Sequence, residues 1–362
     1  MPRSTRALIS LDALRHNYQL ACSHAGSAEV IAIIKADAYG HGMVPVARAL
    51  QGLASVFAVA FLDEALILRE HGITEPILIL EGPMDQAEIA TAQAHNCWLM
   101  LHTPQHLTWL AEVDIQQPNQ VWFKIDTGMH RLGLSETEFK AFWQRQSIAI
   151  QQTLSTNAIL ATHFAKADND PAYTQEQYQK FDRLQALTSM RTSCSNSPAL
   201  FSHAVEQEHF VRLGIALYGG TPDAEVAHPL RDQLQPVMTL EAQVLALRDI
   251  RTGEGVGYGQ IWQATQDTTL ATIAIGYADG IPRAAANVMD VVVAGKRCPV
   301  VGRVSMDMIS VDVTAVKEQV NTGDMVEIWG AQQAVEEVAA AVDTIHYELL
   351  TRLSLRVPRQ YA

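Results

Sequence analysis

A lysine at the end of an apolar run is the first group in this sequence able to do covalent chemistry. Val30-Ile31-Ala32-Ile33-Ile34 leads straight into Lys35, and Ala36-Asp37-Ala38-Tyr39-Gly40-His41-Gly42 follows. An amine in a partly apolar site has a lowered pKa and can attack an aldehyde to form a Schiff base, the bond that holds pyridoxal phosphate. Taken alone, Lys35 reads more readily as a solvated strand-end lysine, so its context decides. Other polar clusters follow apolar runs in the same way: Lys124-Ile125-Asp126-Thr127-Gly128-Met129-His130-Arg131-Leu132-Gly133, Thr162-His163-Phe164-Ala165-Lys166-Ala167-Asp168, Ser195-Asn196-Ser197, and Arg212-Leu213-Gly214-Ile215-Ala216-Leu217-Tyr218-Gly219. If the runs are barrel strands, all of these residues gather at the C-terminal mouth, where barrel enzymes do their chemistry.

Two other patterns carry less. In His203-Ala204-Val205-Glu206-Gln207-Glu208-His209 the histidines are six apart, matching neither H-E-x-x-H nor H-x-x-E-H, so no metal is expected. Gly253-Glu254-Gly255-Val256-Gly257-Tyr258-Gly259 lacks the third-glycine spacing and following helix of a dinucleotide fingerprint, and reads as a loop or hairpin.

The elements that must position these groups come in β-then-α alternation. Apolar runs predict strands at Val30–Ile34, Val56–Phe61, Ile77–Leu80, Cys97–Leu101, Val121–Ile125, Ile159–Thr162, Thr192–Ser195 and Phe210–Arg212. Helical spacing lies between them at Asp63–Glu70, Asp85–His95, Pro104–Glu112, Ser135–Gln146 and Pro171–Met190. Eight continuously apolar strands with intervening helices predict an α/β fold with an N-terminal (β/α)8 TIM-type barrel. After His228-Pro229 the pattern changes to β runs joined by glycine turns: Leu240–Leu247, Thr269–Ile275, Val291–Val293, Pro299–Val301, Met308–Val313 and Met325–Ile328. A last helix is predicted over Ala334–Leu353, with Glu336-Glu337 on a solvated face, ending before Val357-Pro358. The expected domains are a barrel over 1–232, with about the first ten residues packing on the β domain, and a mainly β domain over 233–362.

Composition narrows the function. The 362 residues are 48% hydrophobic and 18% charged, enough for a sizeable core. A net charge of −13 repels phosphate backbones and anionic membrane surfaces, so neither nucleic acid nor membrane is an expected partner. No 18 consecutive apolar residues occur, and Met1-Pro2-Arg3-Ser4-Thr5-Arg6 lacks the features of a secretory signal, so a cytoplasmic location is expected. Cys22, Cys97, Cys194 and Cys298 are widely spaced and form no C-x-x-C pair, which predicts reduced thiols rather than disulfides or zinc.

Taken with Val256-Gly257-Tyr258-Gly259, Gly276-Tyr277-Ala278-Asp279-Gly280 and Gly302-Arg303-Val304-Ser305-Met306-Asp307-Met308, the strand-end segments resemble the alanine racemase family, in order and over nearly the whole chain. The resemblance implies a pyridoxal-phosphate enzyme that interconverts L- and D-alanine, for peptidoglycan synthesis or for alanine catabolism. A serine or broad-specificity racemase of the same family, a decarboxylase of the same structural type and a non-catalytic pyridoxal phosphate carrier are the alternatives. Inverting an α-carbon means removing a proton from one face and returning one to the other, so two bases must flank it. The resemblance implies that Lys35 holds the cofactor and serves the D isomer, while Tyr258 serves the L isomer. A phenol with a pKa near 10 needs hydrogen bonds or positive charge to act as a base at neutral pH. In the family a histidine, here His163, links that tyrosine to an arginine, here Arg212, which faces the pyridine nitrogen. A guanidinium stays protonated, so it leaves that nitrogen neutral.

For the cofactor phosphate the sequence offers Tyr39 and Ser197 hydroxyls and N–H groups near Gly214 and Ile215, with Asn196 beside them. Ser197, just before Pro198, also reads as a helix cap. Arg131 resembles the residue near the cofactor's phenolic oxygen and the substrate, and Lys124 matches a lysine carbamylated in some members. In the family each site is completed by the partner subunit, here through Tyr258, Tyr277, Met306 and Asp307, so a head-to-tail homodimer is implied. The chain departs from some members at Leu355, where they carry a tyrosine before Arg-Val-Pro.

Overall fold

Runs that are apolar at nearly every position can bury both faces, which suits them to a parallel sheet covered by helices. In the computed structural model, which describes residues 3–202, 207–221, 230 and 232–362, they do so. After an N-terminal strand β1 (Arg6–Ile9) come β2 (Glu29–Ile33), β3 (Val56–Val59), β4 (Ile77–Ile79), β5 (Cys97–Leu101), β6 (Val121–Lys124), β7 (Ile159–Ala161), β8 (Arg191–Ser193) and β9 (Phe210–Leu213). The eight strands β2 to β9 form one all-parallel sheet in the order β8-β7-β6-β5-β4-β3-β2-β9. Its two ends approach through backbone bonds from His209 to Thr192 and from Arg212 to Ser195, both 3.0 Å, so the barrel is nearly closed.

Each expected strand is present, ending up to two residues earlier or one later than the apolar run suggested. The intervening helices carry their own start signals. Ser135 and Glu138 make a reciprocal capping box before Glu136–Arg145, and Asp170 caps Pro171–Thr188. The stretch expected as one helix from Pro104 is α-helical to Trp109 and tightens into a 3₁₀ turn over Leu110–Glu112.

The second sheet is built on β10 (Met238–Ile250). It continues through β11 (Gly255–Val256), β12 (Trp262–Gln263), β13 (Thr268–Ile273), β14 (Asp290–Val293), β15 (Lys296–Pro299), β16 (Ile309–Asp312), β17 (Met325–Trp329) and β18 (Arg359–Tyr361). Its path is β15-β14-β17-β10-β1-β18, with β13 on β10 and β16 on β13, while β11 and β12 form a separate hairpin. The run expected at Pro299–Val301 lies one turn early, because Gly295 at φ +74° lets Lys296 pair directly with Val293. The single helix expected over Ala334–Leu353 is two, Val335–Ala341 and His346–Thr351. Asp343 takes a left-handed φ of +56° between them, and a right-handed helix cannot continue through that conformation.

The chain divides into two compact units. Arg15–Ala38 with Met43–Leu217 make the barrel, and Met1–Leu14, Tyr39–Gly42 and Tyr218–Ala362 make the β-rich unit. His203 to Glu206 of the histidine pattern, and His228-Pro229, lie outside the described residues. Among the described residues no helix is long and apolar enough to cross a membrane.

Candidate active site

The turn that Lys35 opens is left-handed. Ala36, Asp37, Ala38 and Tyr39 have φ of +52°, +52°, +54° and +52°, and Gly40 follows at +79°. Left-handed helical backbone costs about 1–2 kcal/mol per non-glycine residue, so the surroundings must hold it. They do so with specific bonds: Ala38 N–H to Ile34 O at 2.9 Å, Ala36 N–H to Glu64 Oε1 at 2.7 Å, and Met43 N–H to Asp37 Oδ1 at 2.7 Å. A β-carbon on Gly40 would lie 2.2 Å from the Leu350 carbonyl oxygen. The result is an abrupt stop after β2 that leaves the Lys35 side chain one-third exposed, its Nζ 3.6 Å from Glu81 Oε1.

Around Lys35 the barrel mouth collects positive charge. Lys124 at the end of β6 is 8% exposed, and burial together with Arg212, Arg131 and Lys35 pushes its pKa down to about 8, with Glu81 opposing. An unmodified ammonium here is costly, and the sign of that cost is testable. The unfolded chain holds this proton up to a pKa of roughly 10.4, so stability rises with pH between about 8 and that value. The full rise is on the order of 3 kcal/mol. Urea midpoints measured across this window in bicarbonate-free buffer should climb for the native chain and climb less for Lys124→Met.

Arg212, on β9, is buried, and burial lowers its pKa, yet a guanidinium keeps its charge. Its Nη1 donates to Ser193 O at 3.0 Å and Ser193 Oγ at 2.6 Å, while Nη2 donates to Thr162 O at 2.6 Å and Cys194 O at 3.0 Å. Nη2 also lies 3.5 Å from His163 Nδ1. That ring is neutral, its pKa held well below the usual value by burial and by Arg212, Lys124, Arg131 and Lys35. The Asn196 amide nitrogen 3.4 Å from Nε2 is a donor, since Asn196 Oδ1 already accepts from Ala199 N at 3.2 Å. Both ring nitrogens of His163 therefore face donors. The Arg212 Nε–H has no acceptor among the described residues.

Two further donors stand at the ends of β8 and β9. Ser197 Oγ accepts from Gly214 N at 3.0 Å, which leaves its O–H to give, and no described group accepts from the Ile215 N–H. The helix cap expected of Ser197 is supplied instead by Asn196, because the helix starts at Ser197, one residue earlier than the proline suggested. Arg131 is exposed on a loop held by Asp126, whose carboxylate accepts from Gly128 N, His130 N and His130 Nδ1.

The remaining expected residues lie on the β-rich unit. Tyr39 is 9% exposed and stacks on Tyr218 at 4.8 Å. Tyr258 is 73% exposed on the loop after β11, between Gly257 and Gly259, both at positive φ. Tyr277 and Met306 are also exposed, on two loops joined by Tyr277 N to Ser305 O and Ala278 N to Met306 O, each 3.0 Å. Asp307 pairs with Arg356 at 2.7 Å, and Asp279 beneath them is gripped by both arms of Arg3. Exposed aromatic and thioether side chains clustered on rigid loops suit a surface that another molecule covers. Leu355 projects into solvent.

Sequence reasoning overlooked Glu81, although it stands directly after the apolar run Ile77–Leu80 and the strand-end rule would have found it. Glu208 and His209 have a structural role. Glu208 accepts from Cys194 N and Ser195 N, and His209 from Thr192 N, which ties the barrel seam.

Comparison with known proteins gives consistent matches. The family described as "Alanine racemase, N-terminal domain" matches residues 9–222, and "Alanine racemase, C-terminal domain" matches 237–361. An alanine racemase from Alteromonas mediterranea is 44% identical over 360 residues, covering 99% of each chain. The crystal structure of the biosynthetic alanine racemase from Pseudomonas aeruginosa aligns with a TM-score of 0.92 at 38% identity, over 99% of each chain. That of alanine racemase from Bartonella henselae, with covalently bound pyridoxal phosphate, aligns at 0.90 and 32% identity over 100% of both.

Proposed function

Given that this chain belongs to the alanine racemase family, we propose that it interconverts L- and D-alanine using pyridoxal phosphate bound covalently to Lys35. The observation that carries this reading is the charge at the barrel mouth. In a chain of net charge −13, Lys35, Arg131 and Arg212 all act on Lys124, and with Lys124 they all act on His163, while the carboxylate of Glu81 opposes them at Lys124. Such a site favours an anionic occupant, and its exposed amine favours an aldehyde.

The residues fit the cofactor's groups. The Ser197 hydroxyl and the Ile215 and Gly214 backbone would hold the phosphate beside Asn196, with the Tyr39 hydroxyl added from the turn that Lys35 opens. Arg131 would meet the phenolic oxygen and the substrate carboxylate, and the unpartnered Arg212 Nε–H would meet the ring nitrogen. When bound, the cofactor supplies an electron sink that makes the substrate's α-proton acidic. Lys35 Nζ takes that proton from D-alanine, and the phenolate of Tyr258 takes it from L-alanine. His163, in the tautomer that carries its proton on Nε2, would be the donor suited to stabilise that phenolate.

Tyr258 reaches the substrate from a second copy of the chain. We assign the active form as a head-to-tail homodimer in which the partner subunit supplies Tyr258, Tyr277, Met306 and Asp307. The reaction would supply D-alanine for peptidoglycan or serve alanine breakdown, and a cytoplasmic location goes with it.

Lys124 is the candidate for carbamylation. With its pKa near 8 a substantial fraction is the neutral amine, which adds carbon dioxide with loss of a proton to give an anion beside Arg131. Labelled bicarbonate should produce a carbamate carbon resonance in the native protein and none in Lys124→Ala.

Borohydride reduction of the holoenzyme followed by peptide mapping tests the main proposal. Label on Lys35, with both alanine enantiomers converging on the racemate, is the expected result. Label on another lysine, or none, rejects it.

A further inference from the structure

Glu81 is the carboxylate that pairs with Lys35, and it is rigidly held. Its N–H donates to Ala60 O at 3.1 Å, and its carbonyl accepts from His102 Nε2 at 2.7 Å. Gly82 follows at φ +69°, where a β-carbon would lie 2.4 Å from the Met100 carbonyl oxygen, so the turn admits no side chain at that position. The other acid close to Lys35 in sequence and space is already engaged: Glu64 accepts from Ala36 N and Ala60 N, both at 2.7 Å. Asp37 accepts from Met43 N at 2.7 Å. The remaining charged or titratable groups at the mouth are the cations Lys124, Arg131 and Arg212 and the neutral ring of His163.

We propose that Glu81 is a positioning residue for racemisation, orienting the Lys35 amine and setting its proton affinity against the three cations that share the mouth. This rests on the reading of Lys35 as the base for the D isomer. A carboxylate 3.6 Å from the amine can orient it and offsets the positive charge that Lys124, Arg131 and Arg212 bring to the mouth. Glu81 offsets them, so Lys35 can both take the α-proton from D-alanine and, as the ammonium, give one back when L-alanine is the substrate. The pairing involves Lys35 and not Tyr258, so the effect belongs to one of the two bases.

Both side chains of the 3.6 Å pair are partly exposed, so the change expected when the charge is removed is modest. In Glu81→Gln the acid limb of kcat for D-alanine moves down, and so does the alkaline limb for L-alanine, where Lys35 is the acid. A readout independent of turnover is the pH dependence of Lys35 labelling by an amine reagent in cofactor-free protein, followed by peptide mapping. Its midpoint falls in Glu81→Gln, stays near native in Glu81→Asp, and rises in Lys124→Met. Unchanged labelling midpoints in both Glu81 variants overturn the proposal. If borohydride fails to trap the cofactor on Lys35 in the native chain, the functional reading itself has failed, and the labelling experiment still decides whether Glu81 controls the amine.

Discussion

Mixing Lys35→Ala chains with Tyr258→Phe chains under conditions that exchange subunits should restore about a quarter of native racemisation, although each variant alone is nearly inactive. Loss of a general base costs roughly 10²- to 10⁴-fold, so neither homodimer contributes measurably. Random pairing makes half of the dimers mixed. In a mixed dimer one site takes Lys35 from one chain and Tyr258 from the other and is intact, while the second site lacks both. Half of the sites in half of the dimers gives the quarter. If Lys35 and Tyr258 instead worked within one polypeptide, every site would lack one base and no activity would return. The exposure of Tyr258, Tyr277 and Met306 on rigid loops of the β-rich unit motivates this expectation. Alpha-proton exchange in deuterated water refines it: Tyr258→Phe should still exchange the α-proton of D-alanine, because Lys35 remains.

Replacing Arg212 by Met should lower the melting temperature of the cofactor-free protein by roughly 4–7 °C, corresponding to about 3 kcal/mol. The guanidinium is a strap across the barrel seam. It is carried on β9 and donates to Ser193 on β8, to Cys194 after it and to Thr162 after β7. No strand ladder joins β8 to β9 directly, so these bonds do work that a ladder does elsewhere in the sheet. Methionine has similar bulk and relieves the desolvation of a buried charge, yet it leaves three carbonyls and a hydroxyl without their donor. Arg212→Lys should fall between the two, since one ammonium has three N–H groups for four acceptors. An unchanged melting temperature in Arg212→Met would mean that water replaces the strap at little cost.

Much of the site was readable because one rule governs barrels: polar residues directly after apolar runs converge at the mouth. Lys35, Lys124, Arg131, His163, Asn196, Ser197 and Arg212 all stand at such positions, and the structure brings them to the mouth of one barrel. Glu81 obeyed the same rule and was passed over, because a lone glutamate gives no hint of a partner until the barrel places Lys35, two strands away, beside it. The break at Asp343 was invisible for a different reason. Val335 to Leu350 keeps helical spacing of apolar residues through the break, so periodicity alone cannot locate it.

What the amino-acid sequence determined by itself was the number and kind of the barrel strands, their order along the chain and the polar side chains that stand at their ends. These depend on local apolar patterning and on residue chemistry, both of which are written one position at a time. Tertiary structure alone decided the left-handed turn after Lys35, the neutral state of His163, and the donors left over on Arg212 and Ser197. The turn contains no glycine before Gly40, so local preference opposes it, and bonds from Glu64 and Met43 hold it. Proton positions and spare donors depend on which acceptors lie within about 3 Å, and that follows only from how distant strands pack together.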